Sequence, residues 1–90
     1  DGYIIGPYDL SGSMGIPGQF DHPKLLQALE RIKTVATKLN VTGGIHVVEP
    51  DVLQLQQKII EGQKFIAYSV DIRMLDRACR DGLSKVKELI

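Results

Sequence analysis

Ninety residues, 43% hydrophobic and 24% charged, make one small folded domain or a piece of a larger one. Eleven basic side chains balance eleven acidic ones with neither sign clustered, which argues against nucleic-acid binding, and no apolar run approaches the ~20 residues that cross a bilayer. The single cysteine, Cys79, cannot close an internal disulfide, which suits a cytoplasmic setting.

The chain opens with an apolar run, Tyr3-Ile4-Ile5, that predicts a buried strand over Tyr3–Gly6. Gly6-Pro7 ends it, because proline has no N–H to continue a ladder. Asp9 follows within three residues of the strand end. Gly12, Gly15 and Gly18 then predict a loop rather than a helix. A carboxylate just past the C-terminal end of a buried strand, under a Gly/Ser loop, is where α/β proteins place metal ligands and catalytic groups.

Pro23 fits the first position of a helix, and Asp21 suits the positive end of its dipole. Leu25, Leu29, Ile32, Val35 and Leu39 recur at helical spacing up to a stop at Asn40. A second strand spans Thr42 to Val48. Pro50 and Asp51 open its helix, which Val52, Leu55, Ile59 and Ile60 line and Gly62 ends. The third strand is Phe65 to Val70, followed at once by Asp71 and a helix reaching Ile90. That helix carries an apolar stripe of Ile72, Leu75, Cys79, Leu83, Val86 and Ile90.

Three repeats of strand, loop and helix imply parallel pairing through right-handed crossovers, and the continuous apolar strands predict that both sheet faces are covered. Three units cannot close a barrel, which takes roughly 250 residues, and a bare three-stranded sheet leaves long edges. Residues 1–90 therefore read as the C-terminal part of a single TIM-barrel domain, the last three βα units of a (β/α)8 fold. A free-standing three-layer α/β module is the alternative.

Gly6-Pro7-Tyr8-Asp9-Leu10-Ser11, then Ser13-Met14-Gly15 and Asp21-His22-Pro23, resembles the GP-x-DLS…LG…HP signature of the HpcH/HpaI aldolase family. Gly44-Ile45 and Gly62 to Ala67 with Val70-Asp71 resemble that family's later segments, so the match covers essentially the whole chain. The resemblance implies a barrel of the PEP/pyruvate-binding type, with this chain supplying strands six to eight. It implies metal-dependent, reversible aldol cleavage of a 4-hydroxy-2-oxo acid, of the 2-keto-3-deoxy sugar acid or 4-hydroxy-2-oxoheptanedioate type, to pyruvate and an aldehyde. It makes Asp9 a ligand of a divalent ion (Mg2+, Mn2+ or Co2+), and it makes the backbone N–H groups at Tyr8 and Asp9 the holders of the pyruvate carboxylate.

A homo-oligomer, a hexamer in the family, with the last helix exchanged between subunits, follows from the same resemblance. The family's glutamate ligand, its arginine and its histidine–aspartate pair all lie upstream of these residues. By that reading no catalytic residue lies in this chain, and the chain alone is inactive. Tyr68 and Ser69 stand where the family usually has a small aliphatic residue and glycine. A related CoA-ester lyase of the citrate lyase β type and a non-catalytic assembly module are the alternative functions.

Other residues have structural readings. Gly12, Gly15 and Gly18 match no phosphate-binding fingerprint. His46, with Glu49 close by, is expected to be structural although it could face a pocket. His22 belongs with the start of its helix, Asp71 with the cap of the last one, and Cys79, Tyr3 and Phe65 with the core.

Overall fold

Three apolar runs pair side by side as parallel strands in the order of the sequence. The computed structural model describes all residues from 1 to 90. The elements are β1 (Gly2–Ile5), α1 (Pro7–Ser13), α2 (Pro23–Lys38), β2 (Thr42–Val47), α3 (Val52–Ile60), β3 (Phe65–Tyr68) and α4 (Asp71–Val86), with a 3-10 turn at Lys87–Leu89. Ile5, Ile45 and Ile66 lie level across the sheet, as do Ile4, Gly44 and Phe65. Because side chains alternate along a strand, the first row faces one side and the second row the other.

The first side is the core. Ile5, Ile45 and Val47 are buried there, with Tyr3, Leu10, Leu29, Ile32, Ile66 and Tyr68 packed against them. The Tyr3 ring lies across Gly43, where a Cβ would collide with it. The other side is bare, with Ile4 about half exposed and Phe65 more so. The strands' apolar runs thus have their helix cover on one face only; Phe65, expected in the core, stands on the open face.

Caps explain the helix bounds. His22, with its ring accepting the Lys24 N–H, caps α2, and Pro23 takes the first helical position. Asp51 caps α3 by accepting from Leu53 and Gln54. Asn40 and Gly62, at φ of 54° and 92°, end the chain reversals that follow α2 and α3. At α4 the capping position is Val70, and Asp71 is the first helical residue, accepting from Ile72 N. β3 stops at Tyr68, short of the expected Val70, because Ser69 turns to φ 59° and breaks the extended run.

Two further expectations need correction. The stretch after Gly6 is not all loop: Pro7 starts a helix, α1, that runs through Gly12, and the loop begins only after Ser13. The apolar stripe of α4 is not core. No residue of that helix is buried; Ile72, Leu75 and Leu83 are about two-thirds exposed, and Cys79 is exposed as well. The molecule is accordingly long, 57 × 27 × 19 Å, with a radius of gyration of 16.1 Å. A compact chain of this length would have about 12 Å. Only 8 of 90 residues are buried, too few to enclose a core around the sheet. No helix is long and apolar enough to cross a membrane.

Candidate active site at the strand ends

The C-terminal ends of the strands carry the polar side chains of interest. Gly6 continues β1 in extended form, at φ −97° and ψ 99°, and Pro7, Tyr8 and Asp9 make the first turn of α1. The turn brings Asp9 back over the strand: its Oδ2 lies 3.1 Å from where a Gly6 Cβ would stand. Glycine leaves that space to the carboxylate. The Asp9 side chain is exposed and makes no hydrogen bond within the chain. The first helical donor to find a backbone acceptor is Leu10 N, bonded to Gly6 O at 2.9 Å. Tyr8 and Asp9 precede it, so their N–H groups lie outside the helical ladder.

Ser11 braces this turn from behind. It is fully buried; its hydroxyl donates to Tyr8 O at 3.1 Å and accepts from Gly18 N at 3.0 Å. Ile16 N bonds to Ser11 O at 2.9 Å, so the loop folds back onto α1 at the strand-end side. Gly12, Gly15 and Gly18 remain exposed rather than packed into a core. Tyr8 and Phe20 meet edge to face at 4.8 Å. With His46, Val48, Glu49, Gln54 and others they line a small cleft of about 90 Å³.

The other two strand ends are tied by side chains that sequence reasoning undervalued. His46 Nε2 lies 2.9 Å from Ser69 O, joining the end of β2 to the residue after β3. Ser69 N donates to Val47 O at 2.6 Å, which pins the left-handed residue from its other side. One turn further on, Arg73 reaches back from α4 to Glu49 with two bonds, Nε–Oε1 at 3.2 Å and Nη2–Oε2 at 2.9 Å. Its Nη1 meets Asp76 at 2.8 Å, and Asp76 takes Arg80 on its second oxygen at 2.8 Å. The Arg73 hydrogen bonds hold the Glu49 carboxyl below its ordinary value, and those of Arg80 and Arg73 do the same for Asp76. The acidic partners raise the Arg73 guanidinium further.

Nothing in the apolar periodicity announced these contacts. The one clue was the family's glycine at the Ser69 position, and the left-handed backbone there supplies the reason for a glycine. Asp71 stays with the α4 start, and His22 with the α2 cap.

As to a metal, no group of three or more His, Cys, Asp or Glu side chains converges anywhere in the chain. Asp9 fits such an ion as one oxygen ligand: it is hard, exposed and free of internal partners. These residues do not make a complete site.

A parallel α/β sheet with its polar groups gathered at the C-terminal strand ends defines the working face of a barrel-type α/β protein. Comparison sharpens that class. The chain is 33% identical over 87 residues to the hydroxypyruvate/pyruvate aldolase of Paraburkholderia phytofirmans, covering 97% of this chain and 33% of that enzyme. It is 35% identical over 79 residues to the 4-hydroxy-2-oxo-heptane-1,7-dioate aldolase of Shigella sonnei, covering 87% of this chain and 29% of that one. The crystal structure of an HpcH/HpaI aldolase from Desulfitobacterium hafniense superposes with a TM-score of 0.85 at 30% identity, over 100% of this chain and 34% of the other. No family model matches the chain. By sequence and fold together, the chain is similar over nearly its whole length to one part of the HpcH/HpaI aldolases. It spans about a third of the length of the curated relatives it matches.

Proposed function

We propose that residues 1–90 are the C-terminal part of a single (β/α)8 aldolase domain, its strands six to eight with their helices. The whole protein would cleave a 4-hydroxy-2-oxo acid reversibly to pyruvate and an aldehyde. The observation that carries this reading is the turn after β1, where the Asp9 carboxylate folds over Gly6 beside the out-of-ladder N–H groups of Tyr8 and Asp9.

In that role the two backbone donors hold the carboxylate of pyruvate without adding a titratable group. They stand in a helix's first turn, where the peptide dipoles favour an anion. Asp9 offers its carboxylate as one ligand of a divalent ion (Mg2+, Mn2+ or Co2+); the ion, when bound, supplies Lewis-acid polarisation of the keto oxygen. The remaining ligand and the acid/base pair come from chain outside these residues, and the 90-residue piece alone is inactive. A homo-oligomer and a cytoplasmic setting belong to the same reading. The exposed α4 stripe supports association, since burying each Leu or Ile there gains roughly 1.5–3 kcal/mol.

The test is pyruvate release from a 4-hydroxy-2-oxo acid by the full-length protein, with and without a chelator. Turnover that a chelator abolishes, and that Asp9→Asn also abolishes, is the expected result. A parent enzyme indifferent to chelation would overturn the metal reading.

A further inference from the structure

We propose that His46 is a specificity residue of the same strand-end site, accepting at Nδ1 a hydrogen bond from a hydroxyl on the aldehyde half of the substrate; this rests on the aldolase reading above. Four observations place it there. Ile45 and Val47 are buried under the helices, so His46 between them points to the open face of the sheet. On that face Ile4, Gly44, Phe65 and Ala67 carry no polar side-chain atom, and Thr42 lies at the far end of β2. His46 is therefore the polar side chain that the upper part of the open face presents.

The ring's protonation follows from its partner. Ser69 O, 2.9 Å from Nε2, is a carbonyl oxygen and can only accept, so the proton sits on Nε2. In the neutral ring Nδ1 is then an acceptor. Nδ1 has no hydrogen bond in the chain, and no buried side-chain nitrogen or oxygen lacks a partner. Nδ1 is accordingly open to whatever enters.

The register brings it beside Asp9. Ile5 pairs with Ile45, so Gly6 is the next residue up β1 as His46 is up β2. The Asp9 carboxylate overlies Gly6. Across three adjacent strand ends the face thus runs Asp9, His46, Ser69. A substrate held at the first has its far half over the second. An open acceptor favours a ligand that brings a donor over an isostere that does not. One neutral hydrogen bond supports a preference of about tenfold.

The experiment is aldol addition of pyruvate to glycolaldehyde and to acetaldehyde by the full-length protein with its divalent ion. The shorter His46→Asn amide occupies the Nδ1 region, whereas the His46→Gln amide reaches the Nε2 position and keeps the Ser69 contact. His46→Asn should keep most of the preference for the hydroxylated aldehyde; His46→Gln should lose about tenfold in the ratio of kcat/KM values. The reverse order, or equal losses on both aldehydes, would show a ring that only secures Ser69. Independently of turnover, the 15N resonance of Nδ1 in the parent should move on adding glycolaldehyde and stay put with acetaldehyde. An indifferent Nδ1 overturns the assignment, whereas a parent protein without pyruvate chemistry overturns the aldolase reading.

Discussion

α2 and α4 are both 16-residue amphipathic helices, yet one is seated and the other is not. α2 buries Leu25 completely and Ala36 nearly so, and packs Leu29 and Ile32 against the buried residues of the sheet. α4 has the larger apolar asymmetry to the eye, but its stripe looks into solvent, and the Glu49–Arg73 pair is what joins its first turn to the β2–α3 connection. The difference teaches that amphipathicity states a need for cover without saying where the cover is. For α2 the need is met by β1 and β2. For α4 it is met outside this chain or not at all.

The comparison can be broken in several ways. The largest effect should be on chemistry at the seated end: Asp9→Asn in the full-length protein should cost about 10³-fold or more in kcat/KM, several kcal/mol of electrostatic stabilisation. Tyr8→Ala should cost far less, because the role proposed for Tyr8 uses only its backbone N–H. Steady-state pyruvate release reads both, and near-normal turnover in Asp9→Asn would sink the ligand assignment. Next, Leu25→Ala should destabilise the protein by about 2–5 kcal/mol at every protein concentration. Leu75→Lys, on the exposed stripe, should instead weaken association, visible in sedimentation and in denaturation midpoints that depend on concentration. Equal, concentration-independent losses in both would mean that α4 is seated after all.

Ser69→Gly should come third. It relieves a left-handed residue and should raise stability by about 1 kcal/mol. Asn40→Gly should gain only a few tenths, since asparagine tolerates that conformation. Thermal denaturation separates the two, and a loss in Ser69→Gly would point to a larger role for its buried hydroxyl.

The smallest effect is the acid sensitivity of the α4 tether. Glu49 has its folded-state value depressed, so its contribution is present above the ordinary 4.5 and is lost as pH falls through the lower folded value. Arg73→Leu should flatten that acid limb by slightly lowering the neutral plateau, the two proteins converging once Glu49 is protonated. Melting temperatures between about pH 5 and 3 would show it, and an identical limb in both proteins would mean that the pair contributes nothing.

Much of the architecture was legible because period and punctuation agreed. Pro23, Asp51 and Gly62 each stand where their dihedral or capping preferences say they should. α1 was obscured by the same reasoning applied unevenly: Pro7 carries the signal of Pro23, but Gly12 and its neighbours outweighed it, although glycine in a short exposed helix costs only about 1 kcal/mol. The end of β3 was hidden because serine does not announce a positive φ. Phe65 and Cys79 were misplaced for one reason. Apolar spacing shows which side of an element seeks cover, not whether another element lies there to cover it.

Ser11 has a consequence beyond holding a loop. The carbonyl of Tyr8 and the N–H of Asp9 belong to one peptide unit. Gly18 N–H donates to the Ser11 oxygen, the Ser11 hydrogen points at the Tyr8 carbonyl, and the Asp9 N–H leaves from the opposite edge of that peptide. The bonds run head to tail in one direction, so each polarises the next by roughly 10–30%. Closing the loop therefore does electronic work on a donor it never touches. With Gly18 bonded to Ser11 the Asp9 amide is a stronger donor than it would be without that bond.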